Sequence, residues 1–118
     1  MPLEVKWERT DQCYWRELMK IDFADPEFKR LRGIFIIWHG GNNPRVIYIG
    51  HGDIPTQLEK LRVKQEFQKY IPIGLYVTWA KFKPEHMKGV HRYLNYKLKP
   101  SLSMCKIEDH QIYVNLPF

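Results

Sequence analysis

Gly33-Ile34-Phe35-Ile36-Ile37-Trp38-His39-Gly40-Gly41-Asn42-Asn43-Pro44-Arg45-Val46-Ile47-Tyr48-Ile49-Gly50 is the stretch that decides the fold. After Gly33, the next five residues are all β-branched or aromatic and apolar, the composition of a buried strand. Gly and Asn at 40–43 tolerate positive φ and Pro44 fixes the exit, so residues 39–44 read as a turn. Residues 46–49 read as a second strand, ended by Gly50. Two strands joined by about six residues form an antiparallel hairpin.

Working outward, Asp53 and Thr56 both fit an N-cap, Thr56 with Glu59 matches a capping box, and Pro55 suits a first turn. A helix is expected over 54–69, with Ile54, Leu58 and Leu61 on one side. Residues 75–82 form the clearest strand after the hairpin. Pro84 opens a further helix, in which Met87, Val90, Leu94 and Leu98 fall at helical spacing, and Pro100 ends it. Ahead of the hairpin, Thr10-Asp11 offers a cap for a short helix over 12–20 carrying Trp15, Leu18 and Met19. Residues 111–116 are expected to form a last strand. A tight turn between the first two strands forbids a fully parallel sheet. The expected class is α+β: a small mixed or antiparallel sheet that starts with a hairpin and is flanked by helices.

The chain has 118 residues, enough for one domain and one core. The expected organisation is a helical extension over 1–30, a core over 31–103 and a terminal strand within 104–118. Four Trp, seven Tyr and six Phe argue against disorder. The longest apolar run, residues 34–38, is far short of the ~20 residues that span a bilayer. The first residues hold no apolar signal-peptide core. Cys13 and Cys105 are too few for a disulfide framework and form no CxxC pair. An intracellular, cytoplasmic protein with reduced thiols is expected.

Charge is unevenly placed. Residues 1–27 hold four bases and seven acids; residues 28–106 hold fifteen bases and only four acids, a net of +11. A basic body of this kind attracts polyanions, nucleic acid first among them. Lys60, Arg62, Lys64 and Lys69 give the expected second helix a basic face, and Arg92 adds a base on the next helix. A solvated lysine-rich surface is the plain alternative. Trp79 and Phe82 read as core aromatics before base-stacking ones.

Gly33-Ile34-Phe35 followed by Tyr48-Ile49-Gly50 resembles the two-part signature of the GIY-YIG nucleases. In that family the tripeptides lie on the first two strands of a small sheet, and a helix, a strand and another helix follow. The resemblance covers residues 31–103. It extends through Gly50-His51-Gly52-Asp53 into the following helix, and through Val90-His91-Arg92-Tyr93-Leu94 to Pro100-Ser101-Leu102-Ser103. It implies DNA as substrate and a divalent metal, magnesium or manganese, where hydrolysis occurs. The family draws its chemistry from tyrosines of both tripeptides, an Arg on the next helix, a Tyr or His one turn later, a metal-binding Glu and often an Asn after the Pro.

Carried over one position at a time, this set is depleted. The first tripeptide ends in Phe35, without a hydroxyl, and Tyr48 is kept. The Arg position falls on Gln57, the base position on Leu61, the Glu position on His91 and the Asn position on Ser103. Neutral imidazole does not suit magnesium, and one His ligand makes a weak site for a softer metal. Losing both charge-stabilising groups removes several kcal/mol of transition-state stabilisation. The expected function is therefore nucleic-acid binding, DNA first, with hydrolysis lost or strongly reduced, within a larger assembly with a protein partner. The runner-up is an active endonuclease with an altered site built from Tyr48, His51, His91 and Arg62. Arg62 enters that set through a one-residue shift of register. A third reading is a protein-interaction or inhibitory module, whose clue is Trp7, Tyr14 and Trp15. His91 reads first as a partly buried histidine bonded to a strand or to Tyr48, and His51 equally as a turn residue or a phosphate contact.

Overall fold

A computed structural model describes residues 4–9, 14–102 and 110–117. Ser103, both cysteines and the expected cap at Thr10-Asp11 lie outside the described residues. The elements run β1 (Arg16–Glu17), β2 (Arg32–His39), β3 (Arg45–Asp53), α1 (Ile54–Arg62), α2 (Gln65–Gln68), β4 (Leu75–Lys81) and α3 (Pro84–Leu98), with 3-10 turns at Leu18–Lys20, Pro26–Phe28 and Ile71–Ile73. The sheet order is β1-β4-β2-β3, antiparallel throughout. The fold is α+β, as the hairpin demands.

β2 is one of two inner strands and reads accordingly: Gly33 to Trp38 are all buried. Alternation sends Phe35 and Ile37 to one face, with Val77 and Trp79 of β4, against Ile54, Leu58 and Leu61 of α1 and Phe67 of α2. It sends Ile34, Ile36 and Trp38 to the other, with Ile49 and Ala80, against Val90 and Leu94 of α3. The sheet is thus the middle of three layers.

Two glycines allow this packing. A Cβ on Gly33 would stand 1.9 Å from the Ala80 carbonyl oxygen, and one on Gly50 2.4 Å from Cζ of Phe35. Phe35 and Gly50 face each other across β2 and β3, so the fully buried ring takes the volume that a side chain at 50 would fill. Between Ile37↔Tyr48 and Trp38↔Val46 the register shifts, and Ile47 is the extra residue of a bulge.

Several expectations are corrected. The second strand does not end at Gly50; it pairs with β2 as far as Asp53. Asp53, rather than Thr56, caps α1, its carboxylate accepting from the Thr56 N–H at 3.3 Å. The helix over 54–69 breaks at Val63 and Lys64. Phe67 lies six residues past Leu61, about 240° around a continuous helix, and the break turns it inward; it is 3 % exposed.

The helix over 12–20 is not present in its described part. Arg16 and Glu17 pair instead with Val77 and Tyr76 on the edge of β4. That extended course divides the apolar residues a helix would have kept together: Trp15 packs toward the α3 layer and Leu18 toward the α1 layer. Farther back, Glu8 N–H donates to the Trp79 carbonyl at 2.9 Å, and the Thr78 hydroxyl donates to the Glu8 carbonyl at 2.8 Å. Residues 111–116 do not form a strand; only Val114 makes a bridge. The β4 edge is already taken, and the segment crosses α3, with Ile112 N–H donating to Gly89 at 3.0 Å and Asn115 paired with Val5. On the opposite edge, Ser101 and Leu102 donate to Val46 and Ile47 of β3.

Candidate functional site

The alternation of β3 separates the residues that the resemblance groups together. Tyr48 points to the α1 layer, where its ring stacks on Phe35 (5.9 Å, 16°) and meets the edge of Phe67 (5.9 Å, 70°). His51, three residues on, points to the α3 layer. There its Nδ1 lies 2.7 Å from Nδ1 of His91, with the rings edge to face at 5.0 Å. His91 is therefore a buried histidine bonded to a strand residue, and its partner is His51 rather than Tyr48.

The pair has a definite proton count. An Nδ1-to-Nδ1 hydrogen bond needs one nitrogen protonated and the other bare. Two neutral imidazoles of opposite tautomer satisfy it, and a proton placed on the accepting Nδ1 would set two donors face to face. Burial disfavours that proton: His91 is 3 % exposed, and desolvation first, then the charge of His51, lowers its pKa from 6.5 to about 4. The Ile49 backbone carbonyl pulls weakly the other way. It makes no full hydrogen bond to His91 Nε2, which is buried and without a partner among the described residues. His51 is half-buried, and its pKa is lowered by desolvation and then by Lys88. Both rings are bases in neutral form at pH 7.

Gln57 approaches His51 through the backbone. Its side-chain amide donates to the His51 carbonyl at 2.7 Å, so it fixes the end of β3. Leu61 is 7 % exposed in the α1 core, where it can move no proton. Arg62 does not turn toward Tyr48 or the histidines. Its Nη1 donates to the Ile21 carbonyl at 2.8 Å, and its guanidinium lies 4.6 Å over the Phe23 ring. It pins residues 21–23 against α1. The set Tyr48, His51, His91 and Arg62 is thus distributed over two faces and two layers. Among the described residues no three His, Cys, Asp or Glu side chains converge to hold a metal ion.

The basic residues divide as well. Lys60 lies in the last turn of α1, Lys64 stands at the start of α2 and Lys69 at its end. All three are exposed and make no ion pair among the described residues, and Lys69 Nζ lies 5.1 Å from the Tyr70 ring. Ion pairs described in the acidic N-terminal third join Arg16 with Glu8 and Glu27, and Lys20 with Glu17. Arg92 is exposed on α3, across the sheet from Lys60, Lys64 and Lys69. Trp79, 6 % exposed, belongs to the core, and Phe82 packs against the α3 layer. Trp7 is buried and Trp15 half-buried, which leaves Tyr14, 69 % exposed, as the open aromatic of the N-terminal clue.

The contact between His51 and His91 spans 40 residues of sequence. The signal that could have found it is phase: His51 shares a face with Ile49, and His91 follows Val90 on the helix stripe that packs there. No helix among the described residues is long and apolar enough to cross a membrane. Comparisons with protein-family models, with curated proteins and with solved structures found no match to this chain.

Proposed function

We propose that this chain is a nucleic-acid-binding domain on the GIY-YIG plan in which phosphodiester hydrolysis is lost or strongly reduced. One observation carries the loss of chemistry: the groups at the expected catalytic positions are neutral and otherwise engaged. Gln57 holds a backbone carbonyl, Leu61 fills the core and His91 is buried against His51. Nothing there supplies a cation or a carboxylate to a phosphate. The order of hairpin, helix, strand and helix, and the packing of Phe35 on Gly50, support the plan. The exposed lysines at 60, 64 and 69, free of acidic partners among the described residues, support a polyanion surface on the α1 side. DNA is the first substrate class to test. An intracellular setting, with a protein partner in a larger assembly, belongs to the same proposal.

Fluorescence anisotropy with a labelled duplex over a salt series tests it. The triple variant Lys60→Glu, Lys64→Glu, Lys69→Glu should weaken binding at least ~100-fold and flatten the slope of log affinity against log salt by about 3. Binding that is unchanged and indifferent to salt refutes the proposal. Arg62 is left intact because its removal would disturb the fold.

The histidine pair favours one second reading, an altered endonuclease in which a neutral imidazole accepts the proton of water. Plasmid cleavage in the presence of magnesium or manganese, abolished by His91→Ala, would establish it. Protein without cleavage in either metal rules it out.

A further inference from the structure

On the α3 side of the sheet, at the turn end of the hairpin, lies an open cleft of about 720 Å³. Trp15, Trp38, Val46 and Leu98 give it apolar walls; Arg45, Lys97 and Lys99 bring three cations to it, and Ser101 a hydroxyl. We propose that this cleft is a binding site for a nucleotide, whose base lies against the indole walls while its phosphate is held by Arg45, Lys97 and Lys99.

Four observations converge on that class of ligand. The volume suits a small organic molecule. Among the described residues the cations are uncompensated: no Asp or Glu lines the cleft, and none of the three bases forms an ion pair. The walls are aromatic: Trp15 and Trp38 meet edge to face at 5.1 Å, with the Arg9 guanidinium 4.0 Å over Trp15 and Tyr76 stacked on Trp38 at 6.0 Å, so the cleft offers the remaining indole surface. An inorganic anion has no use for such walls, and a neutral aromatic has none for the cations. A phosphorylated base uses both.

The fourth observation is the backbone of Lys99. It follows α3 in the left-handed conformation, φ 46° and ψ 63°. Gly or Asn usually holds that position, and the next residue, Pro100, further disfavours an α-type conformation before it. A lysine is held where glycine would be easier to accommodate, and that lysine lines the cleft. Lys97 sits on the last turn of α3, where any cation complements the helix end; Arg45, on β3, has no such local reason to be there.

The site is independent of the lysines on the α1 side, so its test separates from theirs. The full chain is titrated by calorimetry with adenosine 5′-monophosphate, with a 5′-phosphorylated single-stranded oligothymidylate, and with inorganic phosphate and adenosine as the two halves of the ligand. Either nucleotide should bind at least about tenfold more tightly than phosphate or adenosine. Preference for the mononucleotide identifies a free nucleotide as the ligand; preference for the oligonucleotide identifies a strand end. Lys99→Gly should weaken nucleotide binding about tenfold while raising the midpoint of thermal unfolding, because it removes the cation and the backbone strain together. Arg45→Gln should weaken binding without that stabilisation. The triple variant at 60, 64 and 69 should bind the mononucleotide as the parent does. Nucleotide affinity no higher than that of phosphate, or affinity unmoved by both Lys99→Gly and Arg45→Gln, overturns the proposal.

Discussion

Acid should destabilise this protein through His91, and His91→Leu should remove that sensitivity. His91 is buried against His51, and its pKa in the folded chain is about 4, against 6.5 when unfolded. Between those values the unfolded chain binds the proton and the folded chain does not, so stability rises with pH. The contribution is whole above pH 6.5 and is lost as pH falls toward 4. A displacement of that size corresponds to ~3 kcal/mol. His51, also lowered, acts in the same direction by less, because it is half-exposed. With a urea dependence of about 2 kcal/mol per molar, the loss moves the unfolding midpoint by roughly 1.5 M.

The assay is urea unfolding, followed by circular dichroism, at half-unit steps from pH 7.5 to 4. Carboxylates titrate in both proteins and cancel in the difference. At pH 7 the leucine variant should lie within about 1 kcal/mol of the parent, since it gains apolar contact with the layer around Val90 and Leu94 and leaves only the half-exposed ring of His51 unpaired. By pH 4.5 the variant should be the more stable protein, and the two curves should cross. Parallel curves would mean that His91 takes its proton at an ordinary pH, and the account of a buried neutral pair would fail.

Two further outcomes follow from the packing. Gly50→Ala puts a methyl group 2.4 Å from the Phe35 ring and should cost ~1–3 kcal/mol; combined with Phe35→Leu, which vacates part of that space, the two costs should fall short of their sum by at least ~1 kcal/mol, and additivity within ~0.5 kcal/mol in urea unfolding refutes the contact. Arg62→Met removes the bond to the Ile21 carbonyl and should cost ~1–2 kcal/mol in the same measurement while leaving DNA affinity within about twofold. Lost affinity with unchanged stability would place Arg62 on the nucleic-acid surface instead.

The hairpin, α1, β4 and α3 were legible in the sequence because their signals are local. The apolar run at 34–38, the Gly and Asn at 40–43 and the helical spacing of Met87, Val90 and Leu94 each have one natural reading. Residues 14–20 were not legible. Trp15, Leu18 and Met19 fit a helical stripe, and only the vacant edge of β4, some 60 residues away, draws Arg16 and Glu17 into a strand. Phe67 reads as the continuation of a helix until the core is seen to lie on the other side of it. For the site, aligned positions located His91 and Gln57 but not their contacts. Period two along β3 already separates Tyr48 from His51, so the division between faces was present in the sequence. The lost Arg could not be sought one residue on: Leu61 points inward, which turns Arg62 toward the N-terminal segment.

Two segments that flank the core, one before β2 and one after α3, behave as hems on the sheet. Glu8, Arg16 and Glu17 line the outer side of β4, and Ser101 and Leu102 line the start of β3. An unpaired strand edge is a template for the strand of another molecule. Here the segments with the least secondary structure of their own occupy that template, which makes them guards against self-association as well as packing elements. Trimming either of them would expose a row of unsatisfied backbone groups beside the most apolar strands of the protein, and aggregation would compete with unfolding as the first failure.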